Sequence, residues 1–343
     1  MTVPRSPRAA AADPLTDRTR RGLLGSLGRA RRAVGRQVGQ AWAGAPDAAD
    51  DPRVLLDGDF LRRIEALRLH APRAATSGLA GEHASRRKAH SVEFADYRAY
   101  VPGDDFRLID WNVYARLGEL CLKMTEAHES IAVHLLLDCS ASMDWGNPNK
   151  LLYARRIAAA LGAVALSGYD TVTLGAFGDG LQAVFPPLRG HGAVATLLDN
   201  LRGVTPAPAT DLPRAAAAYC GTGVRHGIAV LLTDFLVPDG VDEALGYLRR
   251  AGLYTTALHI VDNQEEHPRL DGLLELHDCE TDDLVRVATT PRLLRRYEEH
   301  FATWSADLAG QCAGRGARYL RVNTAVPPPV LVLEALRREG VLR

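Results

Sequence analysis

The chain has 343 residues, of which 47% are hydrophobic, and equal numbers of basic and acidic residues, so its formal net charge at pH 7 is zero. This length and composition suffice to bury a sizeable core without disulfide bonds, and the five scattered cysteines include no C-x-x-C pair that would indicate a thiolate zinc site. Because no long apolar run or secretory signal is present, we expect a cytoplasmic protein rather than a secreted or membrane-spanning one.

Residues 1–52 are predicted to form a basic, largely disordered tail and linker. Residues 1–45 carry nine arginines against two aspartates, so they have a net charge of +7 and the remainder of the chain has −7. Apolar residues recur at three- and four-residue steps between 23 and 41, as in an amphipathic helix that rests on an anionic membrane, but five glycines between 22 and 39 disfavour a helix. We therefore favour a solvated tail, and the acidic body argues against nucleic-acid binding.

Residues 53–130 are predicted to form a smaller subdomain of helix and short strands. Its first helical face comprises Phe60, Ile64, Leu67 and His70. A turn signal follows at residues 100–105, and a short strand is predicted after it over residues 106–111. Charged residues are dense after this turn, which indicates either a salt-bridge network that pins this segment to the next or a binding surface. We expect Trp111 to pack internally. The possible network or interaction surface contains Asp104, Asp105, Arg107, Asp110, Trp111 and Arg116.

Apolar strand patterns alternate with helical patterns from residue 131 to residue 343. Strands are predicted near residues 133–137, 171–177, 181–185, 228–233, 254–261 and 319–322, with a hairpin over 273–287. Helices are predicted after Asn149 and near residues 193–201, 212–219, 243–251, 294–314 and 330–338. This alternation predicts an α/β fold with a doubly wound, mostly parallel sheet and helices on both faces.

Polar side chains follow two of these strands. Asp138, Ser140 and Ser142 alternate directly after the first apolar strand, so in an extended backbone they project to one side. Asp234 ends another apolar strand, and Thr210 lies in a proline-rich loop between the two. Ligands of parallel sheets bind at the carboxyl ends of the strands. Hydroxyl and carboxylate oxygens in this mixture predict a site for Mg²⁺, with Mn²⁺ as the alternative.

Two resemblances give these residues a context. The ordered set Asp138-x-Ser140-x-Ser142, Thr210 and Thr233-Asp234 resembles the metal-ion-dependent adhesion site of von Willebrand factor type A domains. The flanking text, from about residue 55 to the C-terminus, resembles the bacterial family named domain of unknown function 58. The segments that carry this resemblance are R-x-Y-x-P-G-D-D at 98–105, I-D-W at 109–111, A-R at 115–116, L-L-L-D-x-S-A-S-M at 135–143 and F-G-D-G at 177–180.

The resemblance implies a von Willebrand A-like domain, preceded by a smaller strand-containing segment, with a non-catalytic role. Members of the family are commonly encoded beside MoxR-type AAA+ ATPases and are thought to act with them in chaperone-like maturation or assembly of other proteins. By analogy, Ser140 and Ser142 would bind the cation directly and Thr210 directly or through water. Asp138 and Asp234 would act mostly through water, and a carboxylate of the partner would complete the shell.

This sequence departs from the A-domain pattern at two positions beside the predicted ligands. Phe235 follows Asp234 where glycine is common, which could narrow access to the cation, and Ala209 precedes Thr210 where glycine is also common. One alternative is therefore that Asp138, Ser140 and Ser142 only cap the following helix and bind loop amides, leaving a metal-free scaffold.

An enzyme is the other alternative, in the form of a magnesium-dependent phosphohydrolase with Asp138 at the end of its strand. The D-x-S-x-S pattern lacks the second carboxylate of an aspartyl nucleophile motif. The chain also has no Gly-Lys dipeptide, no zincin helix and no G-x-S-x-G elbow. We therefore expect no catalysis. His134, within an apolar strand, is expected to be a core histidine rather than a ligand.

Overall fold

The computed structural model describes residues 55–70, 92–101, 104, 106–127, 130–237, 239–280 and 283–342. The predicted tail and linker at residues 1–52 lie outside these ranges, and so does Asp105. The described chain is a mixed α/β protein organised around one mostly parallel central sheet with helices, as the alternation of patterns predicted.

The first described elements are helix α1 (Gly58–Ile64), strand β1 (Val92–Ala99), helix α2 (Trp111–Leu117) and strand β2 (Cys121–Ala127). β1 and β2 pair antiparallel in a sheet of their own. The prediction of a short strand over residues 106–111 is wrong, because Phe106–Leu108 forms a 3₁₀ helix and α2 begins at Trp111. The carboxylate of Asp110 explains this, since it accepts hydrogen bonds from the backbone N–H groups of Asn112 and Val113 and caps α2.

The remaining elements follow the predicted order closely. They are β3 (Ala132–Asp138), α3 (Lys150–Ser167), β4 (Thr171–Phe177), β5 (Leu181–Val184), β6 (Leu188–Arg189), α4 (Val194–Gly203), α5 (Leu212–Gly221), β7 (Gly227–Thr233), α6 (Val241–Arg250), β8 (Leu253–Val261), α7 (Asn263–Glu266), β9 (Gly272–His277), β10 (Leu284–Thr289), α8 (Pro291–Gly314) and β11 (Arg318–Asn323). Helical turns then cover residues 328–338. β9 and β10 form the predicted hairpin.

The strand order of the central sheet changes direction at β3. Its strand order is β11-β8-β7-β3-β4-β5, and β6 also pairs with β4. The five strands from β11 to β4 are parallel, whereas β5 and β6 run antiparallel to β4. The chain therefore leaves β3 toward β4 on one side and later returns to place β7 on the other side. Ligands of open α/β sheets bind at such a switch point.

Both faces of this sheet are buried beneath helices. On β3, Val133, Leu135 and Leu137 belong to the apolar cluster that contains the buried side of α3, including Ile157 and Leu161. Leu136 points to the opposite face, where the second cluster holds buried residues of α5, α6 and α8. This explains why β3 is a continuous apolar run rather than an alternating one, as expected for a strand covered on both faces.

Residues 55–70 share the core of the central sheet. Phe60 and Ile64 of α1 are buried in the same cluster as Leu331 and Leu336 near the C-terminus. The backbone continues this contact, because the N–H of His70 donates to the carbonyl of Val341 over 2.9 Å. These residues therefore pack with residues 131–342, although their sequence pattern grouped them with the segment before residue 131.

His134 is a core histidine, as predicted. Its side chain is 3% exposed within β3, and both ring nitrogens have partners. Nδ1 lies 2.7 Å from the hydroxyl oxygen of Tyr219, and Nε2 lies 3.0 Å from the carbonyl oxygen of Arg225. The imidazole thus fastens β3 to α5 and to the chain that leads into β7, and it satisfies its own polar atoms.

We expect His134 to make the protein less stable in mild acid. Burial lowers the pKa of His134 to about 4 from its ordinary 6.5, so between these values the unfolded chain binds more protons. The free energy of unfolding should then fall as the pH falls from about 6.5 to about 4, by on the order of 1–3 kcal/mol. Urea unfolding at pH 7 and pH 4.5 should show a smaller pH effect for His134→Gln. The exposed His191→Gln is the control, and equal pH effects in both variants would contradict this assignment.

Candidate functional site

The predicted site lies where β3 and β7 end side by side. The two strands pair in parallel from Ala132 with Gly227 to Leu137 with Leu232, so Asp138 and Thr233 come at the same edge of the sheet. The Thr233 hydroxyl donates to Oδ2 of Asp138 over 2.6 Å, and the backbone N–H of Ser140 donates to Oδ1 over 2.9 Å. Both carboxylate oxygens of Asp138 therefore accept hydrogen bonds, and the residue has no exposed surface.

The two serines lie together beneath the surface. The side-chain oxygens of Ser140 and Ser142 are 3.0 Å apart, and neither residue is exposed. The sequence alternation correctly predicted that these hydroxyls meet. The alternative that they cap the following helix is wrong, because Asn149 performs that role by accepting a hydrogen bond from the N–H of Leu152. Asp138 does bind a loop amide, as that alternative also proposed.

The loop that carries Thr210 is fastened to the ends of β3 and β4. Ala207 donates its N–H to the carbonyl of Cys139 over 2.6 Å, and Asp211 donates its N–H to the carbonyl of Gly178 over 2.8 Å. These two bonds bracket Thr210 at the edge of the sheet that holds Asp138. The Thr210 hydroxyl oxygen is buried and has no hydrogen-bond partner among the described residues. A buried hydroxyl without a partner is costly, which makes this oxygen a candidate ligand.

Gly178 should be essential for the position of this loop. A Cβ atom at residue 178 would lie 2.3 Å from the Cβ of Ala207 and 3.0 Å from the carbonyl oxygen of Ala209, so the loop would have to move away. We expect Gly178→Ala to destabilise the protein by about 1–3 kcal/mol and to weaken any binding that uses Thr210. The control is Gly180→Ala in the same turn, whose Cβ would meet only the Arg214 side chain at 3.5 Å or more. Equal thermal stability of the two variants would contradict this role.

Asp234 is paired with an ammonium group that the sequence analysis did not assign to the site. Nζ of Lys150 lies 2.5 Å from Oδ2 of Asp234 and 2.8 Å from Oε1 of Glu265, and all three side chains are buried. Lys150 is the first residue of α3, and Glu265 lies in α7. A signal was available in the sequence, because the chain has only three lysines among its 41 basic residues. A lysine stands out in such a chain because a compact ammonium and a planar guanidinium are not interchangeable in a buried ion pair.

Phe235 adopts a backbone conformation that favours glycine. Its φ angle is +53°, in the left-handed region that glycine adopts at no steric cost. The side chain is 1% exposed, and its ring contacts His259 edge to face at 5.6 Å between centroids. The buried ring offsets the backbone strain, and it fills space beside Asp234 that a glycine would leave open.

Burial and charge together make this edge of the sheet resist further negative charge. Burial first, and repulsion by Asp234 second, raise the pKa of Asp138 to about 7, although hydrogen bonds from Thr233 and Ser140 oppose the rise. Burial also lowers the pKa of His259 to about 3, so this imidazole adds no positive charge near neutral pH. A divalent cation would relieve the repulsion between the two carboxylates.

The donor set fits a hard cation that prefers oxygen. Within the described ranges, no group of three or more histidine, cysteine, aspartate or glutamate side chains is arranged to hold a metal. A cation at this edge would therefore depend on hydroxyl oxygens of Ser140, Ser142 and Thr210 together with the strand-end carboxylates. Such a mixture suits Mg²⁺ or Mn²⁺ better than zinc or copper. The unpartnered Thr210 hydroxyl is the structural observation that favours this fit.

The second predicted set, at residues 104–116, is exposed or half-buried where the structure describes its side chains. Asp104 accepts hydrogen bonds from the Arg98 guanidinium over 2.8 Å and from the N–H of Val101 over 3.0 Å, and these bonds lower its pKa. Arg107 and Arg116 are exposed, and Asp110 caps α2. The prediction that Trp111 packs internally is wrong, because it is 59% exposed and contacts Tyr114 edge to face. Exposed large apolar residues of this surface include Phe106, Trp111, Tyr114 and Leu117.

Comparisons with known proteins agree with the flanking motifs. The family described as "Protein of unknown function DUF58" matches residues 96–306. Uncharacterized proteins of Mycobacterium bovis and Mycobacterium tuberculosis are each 27% identical over 300 residues, which cover 85% of this chain and 92% of the relative.

Solved structures give more distant matches. The conserved hypothetical protein BatB from Bacteroides thetaiotaomicron is 16% identical, with a TM-score of 0.40 over 61% of this chain and 97% of that chain. An aerotolerance-related membrane protein from Bacteroides fragilis is also 16% identical, with a TM-score of 0.41 over 62% of this chain and 98% of that chain. In the part of the chain that the structure describes, no helix is long and apolar enough to cross a membrane.

Proposed function

Because the chain belongs to the DUF58 family, whose description names no activity, we propose its function from the site itself: it is a non-catalytic protein-interaction module that binds a partner's carboxylate through a divalent cation. On this proposal the central sheet and its helices form a von Willebrand A-like domain. The switch point of the sheet, beside β3, carries a metal-ion-dependent adhesion site. The cation is Mg²⁺, with Mn²⁺ as the substitute.

The observation that carries the proposal is the buried, unpartnered hydroxyl of Thr210. In the same loop, the backbone N–H of Ala207 donates to the carbonyl of Cys139, the residue before Ser140. The two serine hydroxyls are 3.0 Å apart, and the two strand-end carboxylates repel each other across the same edge. Oxygen ligands at one edge of the sheet, with negative charge beside them, are what a hard cation requires.

The residues of this chain would hold the cation in two ways, directly and through water. Ser140 and Ser142 offer hydroxyl oxygens, Thr210 offers a third, and Asp138 and Asp234 supply negative charge through water. A bound Mg²⁺ would supply an open coordination position for the carboxylate of a partner. The serines have no exposed surface, so docking requires the residues that cover them to move aside. Asp138 is fully buried with both oxygens hydrogen-bonded, which favours a structural carboxylate over a nucleophile.

The proposed partner is a MoxR-type AAA+ ATPase or its client, in chaperone-like maturation or assembly of other proteins in the cytoplasm. Exposed aromatic residues on α2 support a role in protein interaction. Trp111 and Tyr114 lie one turn apart, are 59% and 45% exposed, and are accompanied by Leu117 at 70%. Contiguous exposed apolar side chains on a soluble domain commonly mark an interaction site.

Calorimetric titration tests the cation step. Wild-type protein, stripped with EDTA and dialysed, should bind one Mg²⁺ per chain at millimolar concentration, and Ser140→Ala and Thr210→Ala should abolish this binding. Ser130→Ala, at the opposite end of β3, is the matched control and should bind as wild type does. Binding that none of the site variants changes, or no binding by any protein, would refute the cation site and favour the metal-free scaffold.

Pull-down with a MoxR-type AAA+ ATPase tests the partner step. Capture should require Mg²⁺, fail in EDTA, and fail for Ser140→Ala but not for Ser130→Ala. A capture that persists in EDTA would place the contact elsewhere, and the exposed face of α2 can then be tested with Trp111→Ala. Turnover of a phosphate ester that Asp138→Ala abolishes would instead support the phosphohydrolase.

A further inference from the structure

Lys150 places a positive charge inside the candidate site. Its side chain is fully buried, and its ammonium lies 2.5 Å from Oδ2 of Asp234 and 2.8 Å from Oε1 of Glu265. The other oxygen of Glu265 accepts the N–H of Asp262 in a capping box, and Oδ1 of Asp234 accepts the N–H of Leu236. Both carboxylates are therefore fixed by backbone groups in positions that hold the ammonium between them.

We propose that Lys150 sets the affinity of the cation site by competing with the divalent cation for Asp234, an inference that rests on the cation-binding function proposed above. The ammonium occupies the Asp234 oxygen that a cation would otherwise attract. It also reduces the negative charge at the edge of the sheet by one unit. Both effects oppose cation binding, so the site binds Mg²⁺ weakly and releases it readily.

Glu265 moderates this competition. It shares the ammonium with Asp234, and each carboxylate weakens the hold of the other because both attract the same charge. Removing the charge of Glu265 leaves Asp234 as the remaining member of this pair, which strengthens its bond to Lys150. The proposal therefore predicts opposite changes in Mg²⁺ affinity when the charge of Glu265 and the charge of Lys150 are removed. Glu265→Gln weakens cation binding, and further removal of the ammonium strengthens it.

The test compares Glu265→Gln with the double variant Lys150→Met/Glu265→Gln, which differ only in the ammonium. The double variant removes one positive and one negative charge, so it avoids leaving two buried carboxylates unpaired. Mg²⁺ alone is the probe, and the readouts are the Kd from calorimetry and the Mg²⁺-induced shift in Tm. We expect the Kd of the double variant to be at least about tenfold lower than that of Glu265→Gln. Arg189→Met, at an exposed position beside the start of β4, is the charge control and should change the Kd less than about threefold.

The outcomes separate this inference from the function on which it rests. Tighter binding by the double variant than by Glu265→Gln, if a further Ser140→Ala substitution abolishes it, supports the role of Lys150. Equal Kd values in the two variants would overturn the inference, while the proposed function would stand if wild-type binding is lost in Ser140→Ala. No binding by any variant would overturn both.

Discussion

The substitution Lys150→Met is expected to lower the free energy of unfolding by about 3–5 kcal/mol in the presence of EDTA. The physical reason is that it removes the ammonium held between Asp234 and Glu265 while leaving both carboxylates buried. An uncompensated buried charge is far more costly than the net contribution of the pair that held it. Millimolar Mg²⁺ should restore part of this loss, because a cation bound only by the folded chain stabilises it.

Urea unfolding in EDTA and in MgCl₂ measures this effect. The control is Lys150→Met/Glu265→Gln, which should recover much of the lost stability without added cation, since only one of the two carboxylates remains charged. A loss below about 1 kcal/mol for Lys150→Met would mean that water reaches the carboxylates and that the ion pair is not buried in solution.

The substitution Asp138→Asn should have opposite effects on stability and on binding. Asparagine can accept the N–H of Ser140 and donate to the Thr233 hydroxyl, so the geometry of the strand end is retained. It removes a charge that burial and Asp234 disfavour. We therefore expect the variant in EDTA at pH 8 to be at least as stable as wild type, by on the order of 1 kcal/mol, and to show no response to Mg²⁺.

The pH dependence of Asp138→Asn gives a second readout with a definite sign. The pKa of Asp138 is raised to about 7 in the folded chain from an ordinary value of 3.8, so the folded state binds more protons between these values. The contribution of Asp138 to stability therefore decreases as the pH rises through this window. Wild type and variant share the opposite contribution of His134, so the loss should appear as a change in the difference between their Tm values from pH 5 to pH 8. A variant less stable than wild type at pH 8 in EDTA would contradict it.

The candidate site contains a positive charge of its own. The ammonium of Lys150 balances part of the negative charge of Asp234 and Glu265, so the chain can fold whether or not a cation is present. If a cation binds there as proposed, such pairing would suit a reversible contact, because release of the cation would leave Asp234 and Glu265 with a partner.

Much of the central fold was determined by local sequence patterns. The apolar run of β3, the cap at Asn149 and the alternation of strand and helix patterns are properties of neighbouring residues, and the structure has these elements where the patterns predicted them. The Ser140 and Ser142 hydroxyls meet as predicted, but in a turn rather than an extended strand, because the carbonyl of Ser140 accepts the N–H of Met143 over 3.0 Å. The strand predicted over residues 106–111 was wrong because a single capping aspartate, Asp110, favours helix there.

Only the tertiary structure decided which distant groups reach the site. Lys150 and Glu265 are 115 residues apart, and no local pattern places the ammonium of one against the carboxylate of the other. The strand order brings β7 beside β3, and the paired backbones of the two strands then align Thr233 with Asp138. Periodicity reports which face of an element is apolar, whereas the partner of a buried charge depends on how several elements pack. The sequence therefore indicated the candidate oxygens, and the packing of α3 and α7 placed the Lys150 ammonium between Asp234 and Glu265.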